Sequence, residues 1–279
     1  MADLTAIILT RNEEDYIAAC IESIKPVAKR IVVVDSFSED KTVSIAQEAG
    51  AEVHQHEFYN YAKQYMYAVE IADVKTTWIL RIDERLTKES AAELEKLCNE
   101  NENTDVSGIV LRFYNMFLGK PMMHGGMYPW KKLSVYKAGI GNIEDRNMDE
   151  HIILKSGTTI EAKNDSKHLA FRGLTFFTNK CNWYSTREAM DYFEQKNVST
   201  ENADFKTRLK MKVYYKLPLG FRSWLYYAYR YYIRLGFLDG KEGQIFAFLH
   251  AYWYRFLVDA KIYEHEKMGT EFKPTGALK

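Results

Sequence analysis

The stretch Ile31-Val32-Val33-Val34-Asp35-Ser36-Phe37-Ser38-Glu39-Asp40-Lys41-Thr42 decides how this chain is read. Four consecutive β-branched residues predict a strand buried on both faces. The run stops at an acid, and a polar turn leads into a helix expected over Thr42–Glu48, with Gly50 just past its end in the place of a left-handed cap. The same grammar repeats on both sides. Upstream, Ala6-Ile7-Ile8-Leu9 runs into Thr10-Arg11-Asn12-Glu13-Glu14, and Tyr16, Ile17, Cys20, Ile21 and Ile24 follow at helical spacing. Downstream, residues 51–54 read as a weaker strand and 62–72 as a helix. Residues 78–82 read as a strand running into Asp83, 90–99 as a helix and 108–111 as a fifth strand.

Strands and helices that alternate this evenly predict a mostly parallel sheet with right-handed crossovers. Ligands of such sheets sit at the carboxyl ends of the strands, near a topological switch point. The residues to read together are therefore Thr10, Arg11, Asn12 and Glu13, then Asp35, then Asp83, Glu84 and Arg85. No G-x-G-x-x-G follows the first strand, and no G-x-x-x-x-G-K-[ST] loop is present, so the dinucleotide and triphosphate fingerprints are missing. Past residue 120 the pattern changes. Gly125-Gly126-Met127-Tyr128-Pro129-Trp130 is a breaker-rich loop, and Leu133-Ser134-Val135-Tyr136 reads as a strand. Residues 144–151 are dense in ionisable groups, and helical spacing returns over 174–195.

Composition narrows the class. At 279 residues and 47% hydrophobic, the chain is long enough for one large domain, or one domain with an appendage. Lys+Arg 38 balance Asp+Glu 38, which argues against bulk electrostatic binding to nucleic acid. Cys20, Cys98 and Cys181 are too few and too scattered for a zinc site, and their odd number fits a reducing compartment. Neither a signal peptide nor a transmembrane helix is expected.

A strand-end acid pair on an α/β sheet commonly holds a divalent cation against a diphosphate, and Asp83 with Glu84 suits that task. Here the residues meet a resemblance. Val33 to Thr42, preceded by Ile8-Leu9-Thr10-Arg11-Asn12-Glu13-Glu14, resembles the nucleotide-sugar half of family 2 (GT-A fold) glycosyltransferases. Trp78-Ile79-Leu80-Arg81-Ile82-Asp83-Glu84-Arg85-Leu86-Thr87 resembles the stretch carrying that family's D-x-D signature. The Gly125–Pro129 loop, Met148-Asp149-Glu150-His151-Ile152, Lys180-Cys181-Asn182-Trp183-Tyr184 and Arg187-Glu188-Ala189 are similar to a bacterial branch that builds cell-surface polysaccharides. Gly236-Phe237-Leu238-Asp239-Gly240 adds a weaker match.

The resemblance implies a GT-A, Rossmann-like sheet flanked by helices over residues 1–196, with a helical extension over 197–279. It implies that Asp35 contacts the base of the donor nucleotide, with Thr10, Arg11, Asn12 and Glu13 lining the same pocket and Lys63 and Gln64 near the nucleotide or sugar. It places Asp83 and Glu84 at a Mn2+ or Mg2+ ion. The family often carries Asp-Ala-Asp-Glu where this chain has Asp83-Glu84-Arg85, so the acidic motif is shortened, and Arg81 or Arg85 is placed to neutralise phosphate charge. An acceptor hydroxyl must lose a proton as it attacks the anomeric carbon, and a positioned carboxylate suits that step. Asp149-Glu150 matches the family's base pair, with Glu144-Asp145 as its rival. His151 and His168 are candidates to assist a metal. Cys181 reads as a small buried residue, and Trp183 and Tyr184 as packing residues before sugar platforms.

Residues 205–234 hold eight Lys/Arg, no Asp/Glu and ten aromatics. Basic residues beside Trp and Tyr suit the headgroup layer of an anionic membrane, or helices packed on another surface. The expectation is an inverting transferase at the inner, cytoplasmic face of the cell membrane. Its partners are a nucleotide-sugar donor, most simply a UDP-sugar, and a glycan or lipid-linked acceptor. A non-catalytic glycan-binding scaffold and a sugar nucleotidyltransferase are the alternatives.

Overall fold

The computed structural model describes residues 1–144, 151–169, 171–197 and 217–270. The chain forms two compact units that are interleaved in sequence. One comprises residues 1–114 and 129–169, the other 115–128 and 170–279.

In the first unit a strand, a helix and the next strand alternate as the sequence predicts. The order is β1 (Ala2–Thr10), α1 (Ile17–Ile24), β2 (Ala28–Asp35), α2 (Thr42–Glu48), β3 (Glu52–Gln55), α3 (Tyr61–Ile71), β4 (Trp78–Arg81) and α4 (Lys88–Asn101). β5 (Val106–Phe117), β7 (Trp130–Lys137) and β10 (Thr158–His168) complete the sheet. Between the last two, β8 (Gly141–Ile143) pairs with β9 (Ile152–Leu154) in a separate two-stranded ribbon. The sheet order is β10-β5-β7-β4-β1-β2-β3. β1 pairs in parallel with β2 and β4, and β2 with β3, whereas β7 is antiparallel to both β4 and β5. This is a mostly parallel mixed sheet flanked by helices.

Adjacent residues of β1 explain its unbroken apolar run. Ala6 and Ile8 pack with Ile17, Cys20, Ile21 and Ile24 of α1 and with Leu94 and Cys98 of α4. Ile7 faces the opposite layer, with Ala62, Tyr65 and Ala68 of α3. Alternate side chains leave a strand on opposite faces, so a sheet covered on both sides requires apolar residues at every position. Each isoleucine or leucine sealed in this way contributes about 2 kcal/mol.

The second unit contains the end of β5, the short β6 (Lys120–Met122) paired with it, and α5 (Leu174–Asn197). Then come α6 (Phe221–Ala228), a π-helical turn (Tyr229–Ile233), a 3-10 turn (Gly236–Asp239), α7 (Gly240–Phe246) and, past a second π-helical segment, α8 (Tyr254–Met268). α6 runs on into the π-helical turn, and a left-handed Leu235 then redirects the chain. Phe117 is fully enclosed by Phe171, Phe177 and Phe246, with ring centroids 4.6, 5.4 and 5.1 Å away. A buried ion pair joins Arg222 of α6 to Asp259 of α8, with Arg222 Nε donating to Asp259 Oδ2 at 2.6 Å. The Gly236–Asp239 turn holds the glycine loop. Asp239 accepts the backbone N–H of His124 at 2.9 Å and pairs with its ring at 2.7 Å, while Arg230 Nε donates to the Gly125 carbonyl at 2.6 Å. A Cβ on Gly236 would meet the Arg230 carbonyl at 2.9 Å, so that position requires glycine.

Candidate active site

The strand order reverses at β1. The chain builds outward from β1 to β2 and β3, then crosses back to place β4 on the other side of β1. The carboxyl ends of β1 and β4 therefore flank a switch point, where α/β sheets open a ligand crevice. Thr10 closes β1 opposite Asp35, and Arg81 of β4 lies opposite Ile7. Two groups of polar side chains form there.

The first group surrounds Asp35. This carboxylate is fully buried and organises the turn after β2. Its Oδ2 accepts the Ser38 N–H at 2.8 Å and the Gln55 amide at 3.1 Å, and its Oδ1 accepts the Ser38 hydroxyl. The turns after β1 and β2 are laced together. Asn12 N–H donates to Ser38 Oγ at 2.8 Å, Glu39 N–H to Asn12 Oδ1 at 2.9 Å, and Glu13 N–H to Thr42 Oγ1 at 2.6 Å. Gln64 is buried and donates to Ser36 Oγ at 3.1 Å and to the His56 carbonyl at 3.2 Å. Lys63 points to solvent one residue earlier, its backbone N–H taken by the Asn60 cap. Thr10 is buried, and its hydroxyl has no hydrogen-bond partner. Arg11 is half-buried. Of the residues expected at the donor, Asn12, Glu13, Asp35 and Gln64 thus join the laced turns, and Thr10 joins them through its backbone carbonyl, which accepts the Ser36 N–H at 2.9 Å. Asp35 serves first as the anchor of its own loop.

The second group lies at the end of β4. Glu84 is sealed, with 1% of its side-chain surface exposed, whereas its neighbour Asp83 keeps 64%. The Lys132 ammonium, from β7, stands 3.3 Å from Glu84 Oε1 and 3.5 Å from Asp83 Oδ1. His168, at the end of β10, brings Nδ1 to 3.6 Å from Glu84. At that separation it acts as a charge neighbour, not as a hydrogen-bond donor. Trp130 roofs the cluster, edge-on to His168 at 4.7 Å and under the Lys132 ammonium at 5.6 Å. Burial alone would raise the Glu84 carboxyl. Lys132 and His168 outweigh it and hold Glu84 well below the usual carboxylate range. Burial and the Glu84 charge push Asp83 upward. Because Asp83 remains largely open to solvent, the neighbouring charge is the weightier cause. The Arg81 guanidinium lies over the Tyr65 ring, 5.2 Å from its centroid.

Of the two acids expected at a metal, Glu84 is sealed against Lys132 and His168, whereas Asp83 keeps most of its surface open. Asp83 remains to face a cation. Among the described residues no three His, Cys, Asp or Glu gather to hold a metal ion. One carboxylate suffices for magnesium or manganese when substrate phosphates complete the shell, so Asp83 alone fits such an ion. The sequence reading missed Lys132, whose only forewarning was its place in a short strand beside Trp130. Asp145, Asp149 and Glu150 lie outside the described residues, while His151 is exposed. Cys181 is buried, as expected.

Residues 5–186 match the model of glycosyl transferase family 2. A lipopolysaccharide core biosynthesis glycosyltransferase, LpsC, of Rhizobium meliloti is 28% identical over 272 residues, covering 95% of this chain and 93% of the relative. An uncharacterized glycosyltransferase of Rickettsia felis is 27% identical over 277 residues, covering 95% and 90%. Among solved structures, mannosyl-3-phosphoglycerate synthase from Rubrobacter xylanophilus aligns with a TM-score of 0.34 and 20% identity over 41% of each chain. With the family model spanning most of the chain, including both polar groups at the switch point, this protein belongs to glycosyl transferase family 2 and is a glycosyltransferase.

Proposed function

We propose that this glycosyltransferase moves a sugar from a nucleotide-sugar donor, a UDP-sugar, to a hydroxyl of a lipid-linked or surface-glycan acceptor, with inversion. The observation that carries the reading is the convergence at one switch point of the Asp35 turn, the unpaired Thr10 hydroxyl and the outward Asp83 carboxylate. The first two suit the nucleoside, and Asp83 suits the diphosphate end. The name of the Rhizobium relative supports a lipopolysaccharide-type acceptor, with capsule-type glycans of similar chemistry.

In this reading the turns after β1 and β2 bind the nucleoside and orient the donor. Asp83 would hold a Mn2+ or Mg2+ ion, which supplies charge neutralisation for the departing diphosphate. Asp149 or Glu150 takes the proton of the acceptor hydroxyl. The new bond forms from that oxygen to the anomeric carbon as the bond to the diphosphate breaks, through an oxocarbenium-like transition state. Incubation with a panel of nucleotide sugars and a lipid-linked acceptor tests it. One of Asp149→Asn and Glu150→Gln is expected to lower kcat at least about 100-fold while leaving nucleotide affinity unchanged. Tight nucleotide binding without transfer, indifferent to both substitutions, would support a scaffold instead.

No helix among the described residues is long and apolar enough to cross a membrane. The proposed contact with the inner membrane face is peripheral. It is supported by the exposed Phe221, Trp224, Tyr229, Tyr232 and Ile233, and by Lys206, Arg208, Lys210, Lys212 and Lys216 just ahead in the sequence. Co-sedimentation with phosphatidylglycerol vesicles is expected, and Trp224→Ser with Ile233→Ser should weaken it several-fold. Equal recovery with neutral vesicles would count against an anionic headgroup partner.

A further inference from the structure

The turn that Asp35 anchors displays an aromatic ring for which the fold itself has little use. Phe37 has φ +55°, in the left-handed region that glycine enters freely and an aromatic residue rarely does. Burial does not compensate, because 54% of Phe37 is exposed. Its neighbours impose the conformation. Ser38 is pinned through both its N–H and its hydroxyl to Asp35, and it accepts the Asn12 N–H on the other side. Asn12 is itself left-handed, at φ +53°, and holds the Glu39 N–H. Such an unfavourable conformation, held in place by surrounding bonds, is a mark of functional sites.

The surroundings indicate what the ring meets. Phe37 follows the carboxyl end of β2, and β1, which ends in the unpaired and buried Thr10 hydroxyl, is the neighbouring strand. Tyr59, on the connection after β3, and Tyr61, at the start of α3, are also exposed. An exposed flat ring beside polar groups suits a ligand with an aromatic face and a hydrogen-bonding edge. Within the donor, the base has this chemistry. The diphosphate falls to the Asp83 end of the crevice, and the sugar lies beyond it.

We propose that Phe37 is the platform on which the nucleobase of the donor stacks. This rests on the nucleotide-sugar reading given above. Phe37→Gly removes the ring and relieves the backbone, whereas Phe37→Trp keeps a stacking face. UDP titrated calorimetrically into the full-length protein is expected to bind Phe37→Gly about tenfold more weakly than wild type, and Phe37→Trp within about threefold of it. Inorganic pyrophosphate, which has no base, should bind all three alike. The thermal midpoint of Phe37→Gly should match or exceed that of wild type, because the strained residue is gone. Unchanged UDP affinity in Phe37→Gly overturns the proposal while leaving the donor reading intact. Equal losses in the glycine and tryptophan variants overturn it too, since they indicate a role in loop shape alone. Wild-type protein that binds no UDP removes the UDP-donor reading, and this inference with it.

Discussion

Glu84→Ala is expected to lower the stability of the protein by about 2–4 kcal/mol and to abolish transfer. The carboxylate is sealed, and its partners Lys132 and His168 come from strands that the sequence places 48 and 84 residues away. Breaking a buried pair on one side typically costs about 3–5 kcal/mol, because the remaining charge has no partner. The lower figure allows for the 23% of the Lys132 side chain that stays exposed. Asp83, 3.5 Å away on the same ammonium, would become the main partner of Lys132 and turn from the crevice. Differential scanning calorimetry reads the first effect, and Glu84→Ala combined with Lys132→Met should recover part of it. The pH dependence carries a sign. Glu84 is held below the ordinary carboxylate range, so the unfolded chain binds its proton first. The stability it confers is present above about pH 4 and fades as pH falls further. Asp83, shifted upward, acts in the opposite sense just above that range, so the Glu84 contribution is read on the acid side. Glu84→Gln should flatten the acid limb of wild type. An unaltered acid limb would show that the pair is not coupled as described.

Asp35→Ala is expected to cost at least about 3 kcal/mol of stability and to lower nucleotide affinity about 100-fold or more. Three donors converge on this carboxylate, and hydrogen bonds to a charged group contribute about 1.5–3 kcal/mol each. Alanine leaves the half-buried Ser38 N–H without its acceptor, while the exposed Gln55 amide turns to water. The loop that displays Phe37 would then lose its anchor, and the lacing from Asn12 to Ser38 would slacken. Asp35→Asn separates two roles. It keeps the shape and most of the accepting capacity, so loss of UDP binding at near-normal thermal midpoint would mark direct contact with the base. Parallel loss of stability and binding in both variants would mark Asp35 as the anchor of the turn.

Both sites were half visible in the amino-acid order. Runs such as Ile31 to Val34 and Trp78 to Ile82 announce strands covered on both faces, and the acids that end them fall at the crevice because the sheet is parallel there. Local patterns therefore predict Asp35 and Asp83. They do not predict Lys132, and they offer His168 only as a candidate to assist a metal; both reach Glu84 because β7 and β10 add to the sheet on the far side of β4. No spacing rule links positions 84, 132 and 168. The role of Asp239 was hidden for a similar reason, since its partner His124 lies 115 residues earlier. The resemblance places Lys63 and Gln64 together near the nucleotide or sugar, but the structure turns the two neighbours in opposite directions. The Lys63 backbone feeds the Asn60 cap and its side chain faces water, while Gln64 turns inward.

The enclosure of Phe117 has a consequence for how a ribosome must make this protein. The ring leaves the exit tunnel long before Phe246, one of the three rings that cover it. At about 5–20 residues per second, the nascent chain carries that aromatic without its full cover for roughly 6–25 s. A holding chaperone would find its target there, and a shortened gene ending near residue 196 would leave the vulnerability permanent.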